Sequence, residues 1–539
     1  MTQDKVPLKT YPTHLILTST KSKRTGGKTN EYMAANLPVQ HSSSIWTLND
    51  LSTELLVLIF EQLRDIDSRS LANARQLSKR LESIIAPIQF DTFHLNERII
   101  SSETEVYFPR LLEYLYTFTR HVYMRSDLDP ENASRVLDKI QRLSSLRWRY
   151  VGFRPHPGFS SRPSHILSPK HIKTNEVKLY VEDLPLTRFD YDFHDTYLQS
   201  FPASNIVSLK MTCPTAPLTT RLEYVKRLLL ETHQLETFHY SDRGQGTRFS
   251  FEGDERLPAF KDLLLRSYDW DHDAAAVQKH WDFSRLRHLT LIDVPLFKFL
   301  SSVPNAELRQ LRTLHCEDFT THLPDSRMEV SVALYALTRQ ILSLHALKLT
   351  CHTDVFPIDG ILRHADSLHT LSFRDYVGFE DETRRCPTMR SEDLARLSAE
   401  LVNLHTAELD MDARVCDPPS FLRALCGFPR LQTLVLHTQT LVLVPDDGFY
   451  YSDVDVDADY VAAAEIFSRL MHGKRGRPWL RVTINVGGWK PVMVRRVGAA
   501  WRGWNERGVY AERCFVLERD ADADDGSMKL REERGSAAG

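Results

Sequence analysis

The chain has 539 residues, 42% of them hydrophobic and 26% charged, which is enough apolar material for several packed domains or one elongated array. Its formal net charge of −3 argues against a protein coated in basic surface for nucleic acid. Seven scattered cysteines (Cys213, Cys316, Cys351, Cys386, Cys416, Cys426 and Cys514) are odd in number and form no CxxC pair. They argue against a disulfide framework or a structural zinc site and point to a reducing compartment.

Residues 1–44, rich in Lys, Thr, Ser and Gly, read as a disordered basic tail, in which Lys21–Arg24 would be at most a weak nuclear signal. Leu15–Leu17 is too short for a secretory signal core. Order is expected from Ile45-Trp46. The run Leu48–Leu63, LNDLSTELLVLIFEQL, contains six consecutive apolar residues, Leu55 to Phe60, far too few to cross a membrane. Ser52 or Thr53 can cap a helix there, with Glu54 in its first turn, and the helix should run to about Leu63. A second helix is expected over 68–86, where Leu71, Ala74, Leu77, Leu81, Ile84 and Ile85 recur at helical spacing; Pro87 should end it. Ile88 to Leu95 alternates as a short strand would.

These pieces total about 45 residues, too few to cover both faces of a helix that is apolar nearly all round. Each such side chain gains about 1.5–3 kcal/mol on burial. The uncovered face therefore requires either the rest of the chain or a second protein. Residues 96–140 read as a helical linker.

From residue 141 the form apolar-x-x-apolar-x-apolar keeps returning. Clear copies begin at Leu286, Leu311, Leu344, Leu368 and Leu431, with a weaker one at Leu404 and substituted ones at Leu143, Ile206, Leu235 and Phe260. Starts at 235, 260, 286 and 311 lie 25 or 26 apart, and later gaps stretch to 33 and 36. The second and third apolar positions, two apart, point the same way on a strand. Helix-like stretches such as Val330 to Leu342 and Glu392 to Leu401 intervene. One strand plus one helix cannot bury its own edge, whereas stacked copies share a core. The expectation is an irregular solenoid over 141–486. Residues 487–519, with Trp489, Trp501, Trp504 and the strand-like Cys514–Leu517, would cap it, and 520–539 would be a disordered acidic tail.

Chemical motifs are sparse. There is no Gly-x-Ser-x-Gly elbow, phosphate loop or His-Glu-x-x-His. The acidic run Asp453–Asp459 lacks the Gly and Glu of a calcium loop in either frame and reads as a solvated loop. Trp270-Asp-His-Asp273 reads as an acidic turn before a helix rather than a metal site. Gly473-Lys-Arg-Gly-Arg-Pro478 contains the Arg-Gly-Arg-Pro core of an AT-hook, but a strand at Trp479–Ile484 follows directly, so a basic surface loop is expected.

Residues 45–95 resemble the F-box. Leu48, Leu51, Glu54, Leu55, Ile59, Phe60 and Leu63 match its first part, with Ser52 where a proline is usual. Leu71 and Arg75-Gln-Leu-Ser-Lys-Arg80 match its second part, and Pro87–Leu95 looks like the strand that often follows in fungal members. The later region resembles the irregular leucine-rich repeats common in F-box proteins. The Asn or Cys expected three residues after the third anchor is Val294, Phe319, His352, Tyr376, Asp412 or Gln439, so uneven repeats without the usual turn ladder are expected. The resemblance implies an α/β chain, a small helical F-box domain followed by a leucine-rich-repeat-like solenoid. It also implies a partner: a Skp-family adaptor, and through it a cullin scaffold. The adaptor would be held by Leu48, Leu51, Ser52, Glu54, Leu55, Leu58, Ile59, Phe60, Leu63, Leu71, Leu77, Ser78 and Arg80. The implied role is the substrate-recognition subunit of a Skp–cullin–F-box type ubiquitin ligase. It would be non-catalytic and cytoplasmic or nuclear, with a client protein on the repeat array. No cofactor, metal or membrane is expected. A non-ligase interaction scaffold, and less so a chromatin factor using the Arg-Gly-Arg-Pro segment, are the rival readings.

Overall fold

A computed structural model of the protein describes residues 48–151, 167, 171, 177–185, 201–212, 222–242, 247–317, 326–376, 385–438, 458–486, 513–519 and 528–533. The 1–44 tail, Ile45-Trp46, Cys213, Phe319, Gln439, most of the Asp453–Asp459 run and Trp489, Trp501 and Trp504 lie outside them. The chain divides into two compact units, Met1–Leu56 and Val57–Gly539. The described part of the first is a 3-10 turn at Leu48–Asp50 and the opening of helix α1 (Thr53–Ile66). The Ser52 hydroxyl accepts from the Leu55 N–H at 3.4 Å, as a helix cap does.

In the second unit the helix expected over 68–86 is two helices, α2 (Ser68–Arg75) and α3 (Lys79–Phe90). Each has its own cap. Asp67 accepts from the N–H groups of Arg69 and Ser70, and Ser78, in extended conformation, accepts from Leu81 at 3.1 Å. Pro87 does not end α3, which runs three residues further, so Ile88 and Phe90 are buried helical residues and the expected strand shrinks to β1 (Thr92–His94). A proline so near a helix end forfeits one hydrogen bond, to Ser83, an exposed residue that water reaches.

Residues 96–140 are no linker. They hold α4 (Glu97–Ile100), α5 (Ser102–Tyr107), α6 (Pro109–Phe118), strand β2 (His121–Arg125) and α7 (Pro130–Lys139), and β1 and β2 already open the sheet. The apolar pattern misses β2 because its first anchor position is Thr119, whose hydroxyl is buried and donates to the Phe90 carbonyl at 2.9 Å.

Further strands follow: β3 (Ser145–Arg149), β4 (Lys178–Pro185), β5 (Ile206–Thr212), β6 (Thr237–Ser241), β7 (Asp262–Arg266), β8 (His288–Ile292), β9 (Thr313–Glu317) and β10 (Ala346–Cys351). The series ends with β11 (Thr370–Asp375), β12 (Thr406–Asp410), β13 (Thr433–Thr438), β14 (Arg481–Val486), β15 (Arg513–Arg519) and β16 (Met528–Glu532). Helices α8 (Glu223–Glu231), α9 (Ala274–His280), α10 (Leu296–Ser302), α11 (Arg327–Gln340), α12 (Asp359–Leu362), α13 (Ser391–Glu400), α14 (Pro418–Cys426) and α15 (Ala458–Gly473) lie between them. The result is mixed α/β. Among the described residues all sixteen strands form one open sheet in which each strand pairs with its neighbours in sequence. Pairing is parallel as far as β14, and antiparallel for β14–β15 and β15–β16. Strand β16 falls in the segment expected to be a disordered acidic tail. There Met528 and Leu530 alternate with exposed charges and pack on the core, an amphipathic strand hidden by acidic composition.

The apolar triplets occupy the core. Leu289, Leu314, Leu347, Leu371, Ala407, Leu434 and Val482 stand in register, as do Leu291, Cys316, Leu349, Phe373, Leu409, Leu436 and Ile484, and every one is buried. At and beyond the strand ends, scattered carboxylates accept backbone N–H groups. Asp410 accepts the Asp375 N–H at 2.7 Å, Asp375 accepts that of Thr353 at 2.7 Å, and Asp412 accepts that of Cys386 at 3.2 Å. Each acid thus satisfies a buried or half-buried backbone donor contributed by another stretch of chain. No helix among the described residues is long and apolar enough to cross a membrane.

Candidate functional site

Helix α1 decides the amino-terminal site by its rotation. At about 100° per residue, Leu55, Leu58, Ile59 and Ile66 fall on one stripe and Leu56, Phe60 and Leu63 on another. The first stripe is exposed throughout; in the second, Leu56 and Phe60 are buried and Leu63 is half-buried. This corrects two expected partner contacts. Phe60 and Leu71, the latter on α2, are interior residues of the fold and present nothing outside. Leu48 is exposed and Leu51 half-buried within the first unit. Ser52 and Ser78 serve as caps, and Glu54 is exposed, its carboxyl held below the ordinary range by its own backbone N–H and by the Ser52 hydroxyl. Leu77, in the turn between α2 and α3, is exposed, as is Arg80. The expected set therefore separates into one open apolar stripe, two buried anchors, two caps and a remainder of exposed or half-buried positions.

The helices are locked from the side by aromatic and ionic contacts. The Arg75 guanidinium lies over the rings of Phe90 and Tyr114, 5.3 and 5.5 Å from their centroids. The Tyr114 hydroxyl and Arg110 both donate to Glu82, at 2.6 and 2.9 Å, and bring its carboxyl below the ordinary range. Arg75 is thus a bracket between α2, α3 and α6. A cleft of about 600 Å3 beside it is lined by Arg75, Ser78, Lys79, Glu82 and Arg110. A second exposed apolar run, Val106-Tyr107-Phe108, ends α5. Its three consecutive apolar residues ahead of Pro109 were its only signal.

The remaining motifs are structural. Trp270 and His272 are buried among aromatic rings, Asp271 pairs with Lys298 and Arg248, and Asp273 caps α9 by accepting from Ala276 at 2.7 Å. That is the acidic turn before a helix, with its side chains already engaged. The Arg-Gly-Arg-Pro loop is tied down: Arg475 and Arg477 donate their backbone N–H groups to Cys426 and Pro429, and the Lys474 ammonium donates to the Phe428 carbonyl at 2.6 Å. His352, Asp354 and Asp375 come within 4.8 Å of one another, but the Asp375 carboxylate is committed to the backbone and hydroxyl of Thr353. The described cysteines are free thiols, and burial raises those of Cys316 and Cys351 well above the ordinary range.

The strand positions facing away from the core columns carry buried charge that no motif announced. Arg374 meets Asp410 at 3.2 Å, and Glu408 meets His437 at 2.8 Å. Burial pushes Asp410 up to about 7 against the opposing pull of Arg374, and pushes His437 down to about 4. Removing one partner of either pair would leave a buried polar group uncompensated, which is costly. Compared with protein-family models and with curated proteins, the chain matches none.

Proposed function

We propose that this chain is the non-catalytic substrate receptor of a Skp–cullin–F-box type ubiquitin ligase. In this reading α1 to α3 are the F-box, and a Skp-family adaptor covers the open stripe of α1. The sheet and its helices are an irregular leucine-rich-repeat-like solenoid that holds a client protein, with β15 and β16 closing its carboxyl end. The observation that carries the reading is the α1 stripe itself. Leu58 and Ile59 stand open on a helix whose opposite side is already packed, and an apolar helix face left in water is the form that helix-in-groove recognition uses. The chain contributes proximity: client and ligase held together raise the effective concentration of reacting groups.

The test is capture of purified Skp-family adaptor by the full chain, wild type against Leu58→Asp with Ile59→Asp. Loss of capture by the folded variant is expected. Equal capture would remove the ligase reading and leave the interaction scaffold. The chromatin reading draws little support from an Arg-Gly-Arg-Pro loop bound along its backbone, since an AT-hook uses an extended segment that enters the minor groove.

A further inference from the structure

The residues immediately preceding the strands form a second backbone ladder along the edge where the strands begin. Arg287 donates its N–H to Lys261 at 2.8 Å, Arg312 to Arg287 at 2.7 Å, His345 to Arg312 at 2.7 Å, His369 to His345 at 2.9 Å and His405 to His369 at 2.8 Å. Six successive strands thus bring six basic or imidazole side chains into one row at the strand spacing of about 4.8 Å. The imidazoles neighbour one another with centroids 5.7 Å apart, tilted by 48° for His345–His369 and nearly parallel, at 10°, for His369–His405. Lys261 is paired with Glu236 at 2.6 Å; among the described residues Arg287, Arg312, His345, His369 and His405 are in no ion pair. Arg312, His345 and His369 are exposed. Exposed Arg430 and Arg477 extend the positive field at the far end. His405 is held below its ordinary value by burial first and then by the charges of His369, Arg477 and Arg430.

We propose that this row is the docking surface for an acidic stretch of polypeptide, a run of Asp and Glu side chains laid across the strand starts. The assignment rests on the receptor reading only in naming that polypeptide as the client. Charge complementarity favours carboxylates: Arg287 and Arg312 are neighbours in the row without an ion pair among the described residues, Arg430 and Arg477 stand at its far end, and an opposing row of acids relieves the repulsion between such like charges. The stacking of His369 on His405 favours a polypeptide over a nucleic acid. Bases bind by stacking on free aromatic faces, whereas the facing sides of the His369 and His405 rings already lie against one another. The row spans about 24 Å, which about seven extended residues cover.

The test uses the full chain and a fluorescein-labelled peptide of about ten glutamates, read by anisotropy at low salt, where exposed charges act at full range. Binding that weakens steeply with salt is expected for the wild type. It should weaken about tenfold or more in Arg312→Glu with His369→Glu, and by a smaller factor in Arg312→Gln with His369→Gln, which removes charge without reversing it. Both variants should melt at the wild-type temperature because both positions are exposed. Absence of wild-type binding, or wild-type affinity in the reversed-charge variant, overturns the proposal. So does tighter binding of an oligothymidylate of equal charge, which would make the row a nucleic-acid surface. Adaptor capture is measured in parallel. Its loss with peptide binding intact overturns the ligase reading alone, and the converse result overturns the docking surface alone.

Discussion

Truncating Leu58 and Ile59 together to alanine separates partner binding from folding. In the protein alone Leu58 is 59% and Ile59 44% exposed, so roughly half of each side chain is still available to be buried by a partner. Full burial of a Leu or Ile stabilises by about 2 kcal/mol, so the part still in water gives about 1 kcal/mol each. The double variant should lose about 2 kcal/mol of adaptor affinity, about thirtyfold in Kd. Folding should barely respond, since surface substitutions of this kind stay within about 0.5 kcal/mol each. Calorimetric titration of purified adaptor into wild-type and variant chains measures the first quantity, and a thermal melt the second. A Kd within about threefold of wild type, with the melt unchanged, would refute the assignment of this stripe to a partner. A variant that loses affinity but also melts early would show that the stripe supports the fold itself.

Three further outcomes follow from the geometry. Phe60→Ala, one residue along, removes a buried side chain and should cost about 3–5 kcal/mol of stability by urea titration; a loss under 1 kcal/mol would show that the site is not packed. Gly476 has φ +83° and lies where a Cβ would come within 2.3 Å of the Pro429 carbonyl oxygen, so Gly476→Ala should displace the Arg-Gly-Arg-Pro loop and accelerate its proteolysis, whereas Lys474→Ala, which keeps the backbone, should do so less. His272 Nε2 shares a hydrogen bond of 2.9 Å with the Tyr268 hydroxyl, and burial followed by the charge of Arg248 depresses it to about 4. A depressed histidine contributes stability above its unfolded value near 6.5 that is lost as pH falls toward 4, here about 2–3 kcal/mol by pH 4.5. His272→Gln keeps a hydrogen-bonding group and should flatten that slope in urea titrations at about pH 7 and about pH 4.5; a wild-type slope equal to the variant's would sink the assignment.

How much of this was legible in the sequence depended on whether the deciding physics was local. The apolar triplets marked the positions of most strands because two residues two apart on a strand share a side, whatever the neighbours do. Strand β2 escaped because Thr119 fills an apolar anchor position with a hydroxyl that finds its partner at Phe90, far off in sequence. The split between α2 and α3 turned on Ser78, a residue type that can sit inside a helix or cap one, and whose extended backbone here makes it the cap. The rotation of α1 was beyond local reading: Ile59 and Phe60 are adjacent, both apolar, and only packing decides which is sealed and which stands open.

The basic row shows the opposite case, a surface already present in the repeat pattern. Lys261, Arg287, Arg312, His345, His369 and His405 each directly follow the first apolar anchor of a copy, at Phe260, Leu286, Leu311, Leu344, Leu368 and Leu404. The anchor must turn inward to enter the core, so the residue after it is carried to the edge, and a parallel sheet in register then stacks those edge residues at one strand spacing whatever the length of chain between copies. The intervals of 26, 25, 33, 24 and 36 residues that disguise the row in sequence therefore do not disturb it in space. Irregular insertions fall in the connections between strands, while the strand starts keep their alignment. A charge pattern read only at the anchor-plus-one position survives where a fixed-period search fails.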